Sequence, residues 1–220
     1  MRVAFFGGTF DPIHRGHLRL ATAAADAFAL DRVLFAPVGN QPLKAEAAIA
    51  SYADRLEMVR LACAPGTQHQ PATGNQQPTT FIPPDPRFAV STLDEPRADG
   101  SPNYTVDSLA ALALELPGAS LFVLTGADSF LDLRRWRSAD RLLALAEWIV
   151  VSRPDFPLSE AQLAPLGLSP TQRARVHLLA TVHEEVSATE LRRLLQAGDP
   201  CSGLLPPAVA EYIQTHRLYR

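Results

Sequence analysis

From Arg2 to Leu179, apolar runs of strand length alternate with stretches of helical pattern. Few folds accommodate that order. Strands are predicted at Arg2–Phe6, Arg32–Pro37, Arg87–Leu93, Ser120–Thr125 and Trp148–Ser152, with a weaker one near Val176–Leu179. Helices are predicted at Gly16–Phe28, Tyr52–Cys63, Thr105–Leu116, Ala139–Leu145, Thr189–Gln196 and Pro207–Thr215. Alternation of this kind indicates an α/β fold, a doubly wound parallel sheet with helices on both faces. Ligands of such sheets sit beyond the carboxyl ends of the strands, where the chain order reverses. The first strand ends at Gly7-Gly8, so whatever follows it is expected on that edge.

A chain of 220 residues is long enough for a substantial core, and residues 1–220 read as a single domain with C-terminal helices from about residue 187. Two stretches break the alternation. Residues 68–86 are rich in Gln, Pro and Thr without a hydrophobic period and read as a flexible insertion, while Pro154–Gln172 reads as a loop with a short helical piece. A formal charge of −3 argues against a general nucleic-acid binder. The two cysteines, Cys63 and Cys201, lie far apart without metal-type spacing and suit a reduced compartment. No charged leader with a long apolar stretch opens the chain, and the apolar run Leu142–Val151 is broken by Glu147 and too short to span a bilayer. The expectation is a cytoplasmic protein without membrane or nucleic-acid partners. A homo-oligomer is left open.

The residues best suited to chemistry follow the first strand, in the string Gly8-Thr9-Phe10-Asp11-Pro12-Ile13-His14-Arg15-Gly16-His17. Gly7 and Gly8 would allow backbone torsions and close approaches that a side chain blocks. Thr9 and Phe10 would then offer backbone N–H groups, and His14 and His17 stand one helical turn apart at a helix N-terminus. A pair of solvated or core histidines is the bland alternative. A zinc site lacks a third clustered ligand. Phosphate contact is the reading that uses the whole string.

This string resembles the G-x-F-x-P-x-H-x-G-H signature of the nucleotidyltransferases that include nicotinate-nucleotide, pantetheine-phosphate and cytidylyl transferases. The resemblance implies a Rossmann-like sheet and a triphosphate lined by His14 and His17. Near the other end stands Val186-Ser187-Ala188-Thr189-Glu190-Leu191-Arg192-Arg193. Ser187 with Glu190 reads as a capping box, and the helix start with Arg192 as a second anion site. Alone, the segment suits a plain capped surface helix better. It resembles the second signature of the same superfamily, Ile-Ser-x-Thr-x-Ile-Arg, which implies nucleotide contact at Ser187, Thr189 and Arg192.

The middle of the chain is similar to nicotinate-mononucleotide adenylyltransferases in the order Pro102-Asn103-Tyr104-Thr105, Gly126-Ala127-Asp128-Ser129, Trp136, and in the ending Leu218-Tyr219-Arg220. That resemblance implies that Tyr104, Thr105 and Trp136 surround the nicotinate ring and that Asp128 helps hold the nucleotide. On residues alone Trp136 could be a core anchor, although Arg134, Arg135 and Arg137 beside it argue for the surface. One departure is Pro37-Val38-Gly39-Asn40-Gln41-Pro42-Leu43-Lys44, where the family commonly has Pro-Pro-His-Lys or Pro-Pro-His-Arg. Leu43 replaces the imidazole, so phosphate contact in that loop would rest on Lys44.

The implied reaction is attack by the 5′-phosphate of nicotinate mononucleotide on the α-phosphorus of ATP. The nucleophile is already an anion, so positioning and charge stabilisation should suffice. His17 is expected on the α-phosphate, His14 on the polyphosphate, and Lys44 and Arg192 on the departing pyrophosphate. Mg²⁺ is expected to travel with ATP, held mainly by phosphate and water, and no protein metal site is expected. Phosphopantetheine or nicotinamide mononucleotide as acceptor, a non-catalytic nucleotide-binding module, and RNA binding through the arginines around Trp136 are the competing readings.

Overall fold

The computed structural model describes residues 1–43, 48–64, 85–152, 158–179 and 186–220. Six parallel strands form one sheet in the order β3-β2-β1-β4-β5-β6. They are β1 (Arg2–Gly8), β2 (Arg32–Pro37), β3 (Phe88–Val90), β4 (Ser120–Gly126), β5 (Glu147–Val151) and β6 (Val176–Leu179). The longer helices are α1 (Arg15–Ala27), α2 (Tyr52–Cys63), α3 (Thr105–Glu115), α5 (Ala139–Leu145), α8 (Ala188–Gln196) and α9 (Pro207–Thr215). Shorter ones are α4 (Ala127–Leu131), α6 (Glu160–Leu163) and α7 (Pro170–Arg173). Among the described residues no helix is long and apolar enough to cross a membrane.

The apolar strands serve two cores because successive side chains point to opposite faces of a sheet. Ala4 and Phe6 of β1, Phe122 and Leu124 of β4, and Ile149 of β5 pack with residues of α1, α2, α8 and α9. Val3 and Phe5, Leu121 and Val123, and Trp148 and Val150 pack with residues of α3, α5 and α6. Helices therefore cover both faces, as the alternation of elements predicts.

The elements differ from expectation in four places. β1 continues through the two glycines, with Gly7 paired to Ala36 and Gly8 to Pro37, so the turn falls later, at Asp11-Pro12. β3 is an edge strand of three residues, because the chain turns away where the Glu95 N–H donates to the Thr92 carbonyl at 2.9 Å. Helix α4, absent from the expected helices, is a short one packed through the buried Phe130. The expected loop Pro154–Gln172 carries α6 and α7, started by Ser159 and Ser169, whose side chains accept the Gln162 and Gln172 N–H groups. The expected insertion at 68–86 lies, except for its last two residues, outside the described residues.

The loops after β2 and β3 are closely packed. Gly39 N–H donates to the Asp94 carbonyl at 2.7 Å, and a Cβ at Gly39 would lie 2.5 Å from the Pro96 backbone nitrogen. At Gly126 an added Cβ would meet nothing within 4 Å. Gly39→Ala should cost about 1–3 kcal/mol by overpacking. Urea unfolding curves should show that loss for Gly39→Ala and a much smaller change for Gly126→Ala.

Candidate active site

The sheet order places the reversal between β1 and β4, and an open cleft of about 650 Å³ lies at the carboxyl ends of these strands. Gly7, Gly8 and Thr9 line it from β1, Thr125 and Asp128 from the end of β4, and Tyr104, Thr105 and Trp136 from the far wall. Thus Gly8, Thr9, Tyr104, Thr105, Asp128 and Trp136 share one cleft. Trp136 is half-buried, with its ring centroid 5.8 Å from that of the fully buried Trp148, so one face of the expected core alternative is realised without closing the indole off. The Arg137 guanidinium sits 4.6 Å from the Tyr104 ring centroid. Arg134 is no free surface cation, since it bonds the Leu166 and Gly167 carbonyls and Asp140.

Strict positioning of this wall comes from residues that the sequence reading passed over. Asn103 is buried, accepts the Asn40 N–H at 2.9 Å and donates to the Glu95 carbonyl at 2.8 Å, tying the loops after β2 and β3 together. Asp94 is also buried and accepts a short bond from the Ser108 hydroxyl. Burial pushes its carboxyl above the usual range, while the Ser108 bond acts in the opposite direction. The string Leu93-Asp94-Glu95-Pro96 looks like an ordinary exposed turn, so nothing local signals that role.

The unusual backbone torsion lies at Phe10, with φ of 49°, and not at Gly7 or Gly8. The two glycines are needed for space instead. A Cβ on Gly7 would lie 3.0 Å from the Phe5 ring and one on Gly8 3.1 Å from the Phe10 ring. Phe10 is fixed in a buried aromatic cluster, with ring centroids 5.4 Å from Phe6, 5.8 Å from Phe35 and 5.1 Å from His17.

His14 is the N-cap of α1, and His17 lies in the first turn. Neither lines the cleft of Tyr104 and Trp136. They stand together on the α1 side of the Gly8–Pro12 loop, with ring centroids 3.8 Å apart. The His14 backbone N–H donates to His17 Nδ1 at 3.2 Å. That bond requires a lone pair on Nδ1, which in the neutral ring places the proton on Nε2. His14 is buried, its Nδ1 has no hydrogen-bond partner among the described residues, and burial lowers its pKa from 6.5 to about 4. In the free protein His14 is therefore neutral at pH 7, because its burial disfavours the cation.

Ser187 caps α8 by accepting the Glu190 N–H at 3.1 Å. The reciprocal half of the capping box does not form. The Glu190 carboxylate pairs with Arg193 at 2.6 Å instead, an i,i+3 match that keeps both side chains in solvent. Thr189 is exposed, with its hydroxyl 3.4 Å from Arg192, whose guanidinium donates to the Asp11 carbonyl at 2.8 Å. Arg192 thereby joins the second motif to the first. Lys44 lies outside the described residues. Arg55 of α2 was missed. It is buried and donates to the Thr9 carbonyl at 2.7 Å. Its spacing with Met58, Val59 and Ala62 puts a cation within the buried stripe of α2, which is the signal that could have found it.

Residues 5–194 match the family model described as cytidylyltransferase-like, which defines the class as that of nucleotidyltransferases. A Corynebacterium kroppenstedtii protein described as a probable nicotinate-nucleotide adenylyltransferase is 37% identical over 218 residues, covering 99% of this chain and 90% of the relative. One from Thermus thermophilus with the same description is 38% identical over 220 residues, covering 100% of both. The chain belongs to the family of nicotinate-nucleotide adenylyltransferases. In fold it is similar to a Plasmodium falciparum nicotinic acid mononucleotide adenylyltransferase complexed with APC, with a TM-score of 0.72 at 15% identity over 99% of this chain and 96% of that one.

The depressed pKa of His14 has a consequence for stability. As pH falls below 6.5 the unfolded chain takes up a proton that folded His14 refuses until about pH 4. Stability present above pH 6.5 should therefore fall by up to about 3 kcal/mol as pH drops through that window. Denaturation curves at several pH values should show this loss in the wild type and a shallower one in His14→Gln. Parallel pH dependences would contradict a neutral, buried His14.

Proposed function

We propose that this cleft and the adjoining His14–His17 loop transfer the adenylyl group of ATP to nicotinate mononucleotide, releasing pyrophosphate. The observation that carries the reading is the connection between the two motifs. Arg192 of the second is bonded to Asp11 of the first, beside a cleft walled by Tyr104, Thr105 and Trp136. The cleft walls suit a flat heteroaromatic ring, and the loop suits a chain of phosphates.

In the proposed reaction an oxygen of the acceptor 5′-phosphate bonds to the α-phosphorus while the bond from that phosphorus to the bridging oxygen of the leaving pyrophosphate breaks. The acceptor phosphate is already ionised, so no side chain must remove a proton. This agrees with a loop that offers imidazoles, guanidinium and backbone N–H groups. His17 would donate from Nε2 to the α-phosphate. His14 would meet the polyphosphate first as a neutral imidazole, and the phosphate charge would then favour its protonation. The Gly8, Thr9 and Phe10 backbone and the start of α8 at Ser187 and Thr189 would hold phosphate oxygens. Arg192, with Lys44, would face the departing pyrophosphate, and Asp128 would help hold the nucleotide. ATP would enter as its Mg²⁺ complex, the ion being part of the substrate. Among the described residues no three His, Cys, Asp or Glu side chains cluster to hold one.

Pyrophosphate release measured with ATP, Mg²⁺ and each of nicotinate mononucleotide, nicotinamide mononucleotide and phosphopantetheine tests the reading, with the first expected to react fastest. A preference for phosphopantetheine, or no release with any acceptor, would overturn it. Replacing His17 by Ala should lower kcat about 10²–10³-fold, a larger effect than the loss of stability from its cap bond and its packing on Phe10. Trp136→Ala should instead raise KM for the pyridine nucleotide about five- to tenfold and leave kcat nearly unchanged.

A further inference from the structure

The reaction leaves one buried cluster without a part. Asp11 is 4% exposed, yet its carboxylate accepts three bonds. Oδ2 takes the Ile49 N–H at 2.7 Å, and Oδ1 takes the Ala50 N–H at 3.2 Å and the Tyr219 hydroxyl at 2.6 Å. Tyr219 is itself 4% exposed and lies 208 residues away in sequence. Burial and the Asp11 carboxylate hold its phenol well above the usual range, so it remains a donor. Arg217 and Tyr219 have φ of 55° and 59°, which non-glycine residues keep only where surrounding contacts over-determine them.

We infer that Tyr219 is a positioning residue for adenylyl transfer, acting through Asp11 to fix the backbone of the Thr9–Asp11 phosphate loop. The geometry gives the route. Peptide groups are planar, so fixing a carbonyl also fixes the N–H on the other side of its bond. Arg55 holds the Thr9 carbonyl, which sets the Phe10 N–H, and Arg192 holds the Asp11 carbonyl. The remaining freedom is rotation and displacement at Asp11. Its side chain is anchored between the 49–50 backbone and the Tyr219 hydroxyl. Being buried, Tyr219 acts on the reacting groups through this anchor and not by touching them, and a small displacement of the loop is costly because the donors must meet the phosphate oxygens in place. The inference rests on the phosphate reading of this loop.

Tyr219→Phe removes the hydroxyl and keeps the ring in the core. At a temperature where circular dichroism shows the variant folded, kcat should fall about tenfold or more and inorganic tripolyphosphate should bind about fivefold or more weakly. KM for nicotinate mononucleotide should stay within about twofold, since Tyr104 and Trp136 are untouched. Asp11→Asn should lower kcat in the same sense. In the double variant the losses should not add, because both remove one anchor. A folded Tyr219→Phe protein with wild-type kcat and wild-type tripolyphosphate affinity would overturn the inference, as would additive losses. Should the wild type bind tripolyphosphate but release no pyrophosphate, the activity reading alone fails, and the affinity ratio decides the role of Tyr219. A wild type that binds no tripolyphosphate would end both.

Discussion

The buried carboxylate of Asp11 is the constraint on which the Thr9–Asp11 loop depends. A carboxylate removed from water is tolerable only when its lone pairs are filled, and the three donors here come from two distant parts of the chain. The turn at Ile49 and Ala50, just before α2, supplies two N–H groups, and the segment after α9 supplies the Tyr219 hydroxyl. Arg55 and Arg192 add cations around the same loop, bonded to the Thr9 and Asp11 carbonyls. The loop therefore has its geometry only when α2, α8 and the residues after α9 are all docked. Phe10, held at φ 49° among Phe6, Phe35 and His17, is the visible sign of that over-determination.

The same enclosure shapes the electrostatics. Burial that makes His14 rigid also disfavours its charge, so the free loop presents a neutral imidazole and backbone dipoles on this side. In the proposed reaction such a site would gain positive character only as phosphates bind. Preorganised donors of this kind suit a reaction whose nucleophile is already an anion. The nearby cleft is built differently. Its wall is aromatic, with Trp136 against Trp148 and Tyr104 under Arg137, and Asn103 and Asp94 brace the loops behind it. In the proposed reaction the ring and the phosphates would fall to two neighbouring surfaces that meet at Gly8 and Thr9.

Much of the fold was legible because parallel strands covered on both faces must be apolar throughout, and the alternation of such runs with helices leaves one architecture. The errors are informative. Gly7-Gly8 looks like a turn, but the ladder to Ala36 and Pro37 extends through it, and the glycines answer to the Phe5 and Phe10 rings above them. Glu190 fits a capping box by spacing, yet a nearby arginine offers its carboxylate a charged partner. Lys44 had a stated role and falls outside the described residues.

By itself, the sequence determined the strand–helix order, the motif after β1, the helix start at Ser187 and the aromatic stations Tyr104 and Trp136. All of these are written in local spacing, which backbone geometry translates directly into faces and helix ends. Only the tertiary structure decided that Arg192 bonds Asp11, that Arg55 reaches Thr9, that His14 is neutral and that Tyr219 completes the carboxylate shell. Those facts depend on which distant segments the sheet order brings side by side and on how much water they exclude. Neither quantity has a local pattern, because burial and partner choice are properties of the packed chain as a whole.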